Sequence, residues 1–118
     1  MLHAGDVAPD FLLPDADMAW VDSRSVYGQY HTVLFFYPRD NTPNCIIEAA
    51  DFSDHESEFA TLGCKIFGVS RDDCYSHANF RDLHGLSVPL LSDEKGEVCR
   101  QFGVSQYREH DSHKKLCI

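Results

Sequence analysis

TVLFFYPRDNTPNC, residues 32–45, runs from an apolar segment through a polar loop to a cysteine. Residues 32–37 are aliphatic, β-branched or aromatic without polar alternation, which is typical of a strand covered on both faces in an α/β sheet. Residues 64–69, CKIFGV, have the same character. Between them, apolar residues recur at helical spacing over residues 44–62, and Gly63 suits the C′ position of that helix. Strand, helix and strand therefore predict a βαβ unit whose two strands are parallel.

The other segments are consistent with a single domain over residues 1–118. In chain order they predict an extended arm over residues 5–15 and a short strand over residues 19–21. A second helix over residues 72–84, another short strand over residues 88–91 and a third helix over residues 94–102 follow the βαβ unit. The second helix is expected to start at Asp72 or Asp73 and to stop at Gly85. The final residues, Leu116 to Ile118, look like the first residues of a strand.

The loop places Cys45 at the start of the first predicted helix. Thr42 is a good N-cap, and Pro43 suits the N1 position, where its missing N–H costs nothing. Cys45 is then N3, in the first turn, where unpaired backbone N–H groups and the helix dipole favour negative charge on sulfur. Because the thiolate is the nucleophilic form, and because open α/β sheets bind ligands beyond the carboxyl ends of their strands, Cys45 is a candidate nucleophile. The alternative is a buried cysteine that packs as a small hydrophobe.

Composition and charge narrow the function classes. Acidic residues outnumber basic ones 19 to 10, and the net charge of −9 disfavours nucleic acid or an anionic membrane surface as a partner. The longest apolar run, residues 33–37, is far too short to span a bilayer, and no secretory signal opens the sequence. The cysteines number five, an odd count, and are dispersed, which argues for free thiols in a reducing cytosol. We therefore expect a cytoplasmic protein.

The motif Pro38-x-x-x-Thr42-x-x-Cys45 resembles the PxxxTxxC active-site motif of peroxiredoxins. Other segments resemble the bacterioferritin-comigratory-protein, or peroxiredoxin Q, branch of that family in the same order: GDVAPDFLLPD, FFYPRDNTPNC, the Glu48-Ala49 pair, GVSRDD, SHANF and PLLSD. The resemblance extends to about Val104. It implies an α/β, thioredoxin-like fold, with a central mixed sheet flanked by helices, and a thiol-dependent peroxidase activity.

The resemblance also implies roles for individual residues. Cys45 would be the peroxidatic cysteine, which attacks hydrogen peroxide or an organic hydroperoxide and becomes a sulfenic acid. Thr42 would hydrogen-bond the reacting atoms, Pro38 would shield the sulfur, and Glu48 would orient an active-site arginine. No cofactor or metal is implied. Thioredoxin, glutaredoxin or a small thiol would restore the cysteine, and the chain would be a monomer or a weak dimer.

The arginine is the first departure from the family pattern. In the family it lies on a strand just past the position of Ile118, and two more strands and a final helix belong to the same region. We therefore expect a C-terminally truncated member with an exposed sheet edge and impaired activity. Arg39, Arg71 and Arg108 are conceivable substitutes, but none stands at a matching position. The alternative function is a catalytically weak or inactive fragment with a structural or binding role.

The second departure concerns the resolving cysteine. Many relatives carry it five residues after the peroxidatic one, where this chain has Ala50, or in the next helix, where this chain has Arg81. The other cysteines do not match either position: Cys64, Cys74, Cys99 and Cys117. We expect a one-cysteine mechanism in which an external thiol attacks the sulfenic acid.

Two other kinds of site are alternatives to a peroxidase. A metal site is conceivable in His110-x-x-His113-x-x-x-Cys117 or in Cys74-x-x-His77. A thioredoxin-type disulfide exchanger is disfavoured because the sequence has no CxxC, and no glycine pattern indicates a nucleotide cofactor. Histidines outside the tail show no triad-like grouping and are expected at the surface: His3, His31, His55, His77 and His84.

Overall fold

The computed structural model describes residues 5–104 and the backbone of two further strands. In chain order the elements are β1 (Leu12–Pro14), β2 (Trp20–Asp22), a 3₁₀ turn (Ser23–Ser25), β3 (His31–Phe36), α1 (Pro43–Thr61), β4 (Cys64–Ser70), α2 (Cys74–His84), β5 (Leu90–Ser92), α3 (Glu97–Gln101), β6 (Gln106–Arg108) and β7 (Lys115–Cys117). Among the described helices, none has the length and apolar character needed to cross a membrane.

The central sheet of the described residues has three strands in the order β3-β4-β5, all parallel. β3 and β4 pair along their length, from His31 opposite Cys64 to Phe36 opposite Val69. The predicted parallel βαβ unit is thereby confirmed. Two antiparallel pairs, β1–β2 and β6–β7, form separate two-stranded sheets.

Helices and the hairpin cover the two faces of this sheet, which is why its strands lack polar alternation. On one face, α1 and α2 bury a cluster that includes Phe35, Ala49, Ile66, Phe80 and Leu90. On the other face, β1 and α3 bury a second cluster that includes Phe11, Phe67, Val69, Leu91 and Val98. Cys45 belongs to the first cluster, so the candidate nucleophile lies on the α1–α2 face.

The two long helices begin and end close to where the sequence predicts. α1 has Thr42 at its N-cap, Pro43 as its first residue, and Gly63 just beyond its end with φ +74°. α2 has Asp73 as N-cap, whose carboxylate accepts the Ser76 N–H at 2.8 Å, and Gly85 ends it with φ +62°. Both terminal glycines adopt the left-handed conformation that favours glycine.

The predicted start of the third helix, residue 94, is wrong, because α3 begins only at Glu97. Gly96 at the N-cap has φ +72°, a conformation that a right-handed helix cannot contain. The buried Asp93 carboxylate instead accepts the backbone N–H groups of Val98 and Cys99 at 3.3 and 2.9 Å. This side-chain cap sets the start of α3 later than apolar periodicity suggests.

Other boundaries shift by a few residues. The arm predicted over residues 5–15 contains β1, which pairs with β2 as a hairpin closed by hydrogen bonds from Asp17 and Ala19 N–H to Asp15 Oδ1. β5 begins at Leu90 rather than at residue 88. The predicted terminal strand overlaps β7, and Ile118 lies outside the described residues.

Candidate active site at the start of α1

The loop between β3 and α1 leaves the carboxyl end of the sheet. Tyr37 extends the β3–β4 ladder by one bond, from its N–H to Val69 O at 3.1 Å, before the chain turns. Asn41 then takes a positive φ of 61°, which asparagine tolerates better than most residues. The loop thus brings residues 42–45 to the edge of the sheet where ligands of open α/β proteins bind.

Cys45 is the third residue of α1 and is only 5% exposed. It packs in the same apolar cluster as Phe35, Tyr37 and Phe80. The sulfur is therefore shielded from a bulky protein thiol in this conformation. The prediction that Cys45 lies in the first turn on the buried face of α1 is confirmed.

Thr42 occupies the predicted N-cap position, but its hydroxyl does not cap the helix. It donates instead to Arg39 O at 3.0 Å, so the cap predicted for this side chain is wrong. The first backbone bond of α1 runs from Ile46 N–H to Thr42 O at 2.9 Å. The N–H groups of Asn44 and Cys45 belong to the first turn, so they have no acceptor within the helix.

Pro38 and Glu48, the other two candidate residues, both have exposed side chains. Pro38 lies just after the buried end of β3. Glu48 lines an open groove along α1 with residues such as Asn44, Ile47 and Phe52. Within the residues that the structure describes, Glu48 makes no ion pair.

Among the conceivable substitutes for the family arginine, Arg71 is engaged elsewhere. Arg71 donates from Nε and Nη2 to Glu94 O at 3.3 and 3.2 Å, on the α3 side of the sheet. Arg39 is exposed and contributes its carbonyl, not its guanidinium, to the Thr42 contact. The side chain of Arg108 lies outside the described residues.

A buried polar network lies behind the loop, and sequence reasoning missed it. His77, expected at the surface, is completely buried, which corrects that prediction. Its Nδ1 lies 2.8 Å from Asp40 Oδ2, and its Nε2 lies 3.0 Å from Leu91 O. The adjacent Ser76 also belongs to this network, because its hydroxyl donates to the same Asp40 oxygen at 2.8 Å.

Tyr37 completes the surroundings of Asp40. Its hydroxyl donates to Asp40 Oδ1 at 2.7 Å, and its side chain is 2% exposed. Burial raises the pKa of the Tyr37 phenol above its usual value, and the negative charge of Asp40 raises it further. Tyr37 therefore remains protonated and donates at neutral pH.

The described residues contain one group that brings three metal-type ligands within 4.8 Å of one another: Asp40, Asp72 and His77. Each already has protein hydrogen-bond partners, so the arrangement is that of a hydrogen-bond network. The alternative of a Cys74–His77 metal pair is not supported, because both ring nitrogens of His77 face protein oxygens. His110 and His113 lie outside the described residues.

Comparison with known proteins identifies the family. The model of the AhpC/TSA family matches residues 4–117. The chain belongs to the AhpC/TSA family. It is 39% identical over 103 residues to peroxiredoxin Bcp of Escherichia coli, an alignment that covers 87% of this chain and 65% of the relative.

Solved structures of this family confirm the thioredoxin-like α/β fold. Peroxiredoxin Q of Xanthomonas campestris superimposes with a TM-score of 0.85 at 35% identity, covering 92% of this chain and 68% of that one. The X. campestris bacterioferritin comigratory protein, studied for alkyl peroxide reduction in trapped intermediate and ligand complexes, gives the same TM-score at 34% identity and the same coverage. This family member spans about two thirds of the length of the proteins that it matches.

The other cysteines of this family member are dispersed over the fold. Cys64 opens β4 and Cys74 opens α2, both half-buried, whereas Cys99 is buried in α3. Cys45, Cys64 and Cys74 form no disulfide. The side chain of Cys117 lies outside the described residues.

Proposed function

We propose that this chain is a thiol-dependent peroxidase that reduces hydrogen peroxide and organic hydroperoxides through Cys45. The observation that carries this proposal is the position of Cys45 as the third residue of α1, beside first-turn amides that Thr42 does not cap. Alkyl peroxides are included because a relative of the same fold has been studied for their reduction.

The reaction follows from these groups. The Cys45 thiolate attacks one oxygen of the peroxide, a sulfur–oxygen bond forms and the O–O bond breaks. The electron pair of the broken bond leaves with the other oxygen, which takes up a proton and departs as water or an alcohol. The sulfur loses two electrons and becomes a sulfenic acid.

The surrounding groups stabilise charge on the peroxide oxygens. The Thr42 hydrogen is held by Arg39 O, so the hydroxyl oxygen is left to accept a hydrogen bond from the peroxide O–H. The N–H groups of Asn44 and Cys45 donate to the oxygens as charge develops during bond cleavage. Pro38 limits water at the sulfur, and Glu48 remains available to orient an arginine.

An external thiol completes the cycle. It attacks the sulfenic sulfur and releases water, and a second thiol reduces the resulting mixed disulfide. Because Cys45 is 5% exposed, the first turn of α1 must open before a protein thiol can reach it. Thioredoxin, glutaredoxin or a small thiol fits this step, in a one-cysteine mechanism.

The test compares peroxide consumption by the parent chain with that of Cys45→Ser and of the control Cys64→Ser. We expect consumption in the parent and in Cys64→Ser, and loss of it in Cys45→Ser, together with trapping of a sulfenic acid on Cys45 by a dimedone-type reagent. Equal consumption in all three chains would refute the proposal.

The one-cysteine mechanism has its own measurement. After one equivalent of peroxide, mass spectrometry of the peptides should find Cys45 carrying one added oxygen, or joined to an added small thiol. An internal Cys45–Cys74 disulfide as the main product would show that the chain resolves its own sulfenic acid.

A further inference from the structure

The network behind the active-site loop joins three elements that are distant in sequence. Asp40 lies in the loop, His77 lies in α2, and Leu91 lies in β5. We propose that Asp40 and His77 are positioning residues, which hold residues 38–42 and with them the first turn of α1 in the geometry that Cys45 needs. The catalytic part of this proposal rests on the peroxidase function proposed above.

The hydrogen bonds of His77 show how the pair is built. Leu91 O can only accept, so His77 Nε2 carries a proton and donates to it. One further proton lies between His77 Nδ1 and Asp40 Oδ2, which are 2.8 Å apart. Since the histidine side chain is 0% exposed and that of Asp40 2%, water does not compete for these bonds.

Asp40 is held by its backbone as well as by its side chain. Its N–H donates to Asp72 Oδ2 at 2.8 Å, and the same oxygen accepts the Ser70 hydroxyl at 2.7 Å. Its carboxylate accepts from Tyr37 and Ser76 at 2.7 and 2.8 Å. Both ends of the residue are therefore anchored to β4 and to the start of α2.

A second contact holds the loop one residue further on. Asn41, at its positive φ, places Oδ1 3.2 Å from His84 Nε2 near the end of α2. The loop therefore contacts α2 at both ends of that helix. Thr42 follows directly, so a shift of the loop would move both its hydroxyl and the carbonyl that accepts the first helical bond from Ile46.

Positioning of this kind has a large effect on rate, because a misplacement of about 1 Å can cost about a hundredfold. The reacting groups lie in the turn that the network supports, whereas Asp40 and His77 lie behind it. They act through the loop, and their removal should loosen the first turn of α1 before it unfolds the domain.

The test uses Asp40→Ala and His77→Ala, with Asp40→Asn as the conservative variant. The asparagine amide can still accept from Tyr37 and donate to neutral His77 Nδ1, and its second N–H can donate to the Ser76 hydroxyl oxygen, which reverses that bond. It therefore keeps the connections without the charge. Asp93→Ala is the matched control, because Asp93 is also a buried carboxylate that accepts backbone N–H groups, but it lies on the opposite face.

Two measurements on the folded parent and variants test the positioning role. Hydrogen exchange at the Ile46 N–H should accelerate at least about tenfold in Asp40→Ala and His77→Ala, whereas Asp40→Asn and Asp93→Ala should stay within about threefold of the parent. The rate constant for oxidation of Cys45 by hydrogen peroxide should fall about tenfold or more in Asp40→Ala and His77→Ala. In Asp40→Asn and Asp93→Ala it should stay within about threefold of the parental rate constant.

The outcomes separate the two proposals. If the parent chain does not react with peroxide at Cys45, the proposed function fails, and the exchange of Ile46 alone decides whether the network positions the turn. If exchange and oxidation are unchanged in Asp40→Ala, or change equally in Asp93→Ala, the positioning role is overturned. Should an alanine variant not fold, His77→Gln takes its place, and a His77→Gln chain with parental values for both measurements would equally overturn it.

Discussion

Replacing Gly68 with alanine tests how tightly the sheet packs beneath α1. Gly68 is buried in β4, and a Cβ at this position would lie 2.7 Å from Phe35 Cζ and 3.0 Å from Leu90 Cδ2. A contact of 2.7 Å forces a neighbouring atom to shift, and a neighbour at 3.0 Å must give by a few tenths of an ångström. The Phe35 ring cannot move freely, because it stacks on Phe52 of α1 at 4.5 Å and on Tyr37 at 5.7 Å.

The expected cost follows from this crowding. Overpacking a well-packed core by one methyl group costs about 1–3 kcal/mol, and Gly68→Ala should destabilise the fold by an amount in that range. For a domain of this size that corresponds to a fall in Tm of about 4–12 °C. Thermal and urea unfolding followed by circular dichroism would measure it.

A double variant identifies the cause. Leucine at position 35 lacks the ring atoms that crowd position 68, so Phe35→Leu should remove much of the penalty of Gly68→Ala. We expect the two changes to be non-additive by at least about 1 kcal/mol. The reasoning would be refuted by an unchanged Tm in Gly68→Ala, or by strict additivity in the double variant.

Two further predictions concern the active-site loop. Thr42→Val should slow oxidation of Cys45 by hydrogen peroxide about tenfold or more, because the hydroxyl oxygen is lost, whereas Thr42→Ser should retain most of the parental rate. Stopped-flow kinetics would measure both rates, and equal rates in the two variants would show that the Thr42 hydroxyl takes no part in the mechanism. The free energy of unfolding should fall as pH rises above about 10, because tyrosine in the unfolded chain then loses its proton while buried Tyr37, whose pKa is raised, keeps it. Tyr37→Phe should flatten that alkaline slope in urea titrations at several pH values, and a slope as steep as the parent's would contradict this account.

The tertiary network shows the limit of local patterns. Asp40 and His77 are 37 positions apart, and His77 and Leu91 are 14 apart. Hydrophobic periodicity cannot predict a buried histidine, because it assigns polar residues to the solvent-facing side of a helix or strand. The late start of α3 has a similar cause, because the Asp93 side-chain cap and the conformation of Gly96 outweigh a weak apolar repeat.

From its sequence alone, this chain determines the strand–loop–helix–strand unit and the place of Cys45 within it. Continuous apolar runs require burial on both faces, and Pro43 and Gly63 specify where α1 begins and ends through short-range backbone effects. Only the tertiary structure decides that His77 is buried against Asp40 and Leu91. The physical reason is that a polar side chain buries itself only where the fold supplies its hydrogen-bond partners, and here those partners come from distant elements.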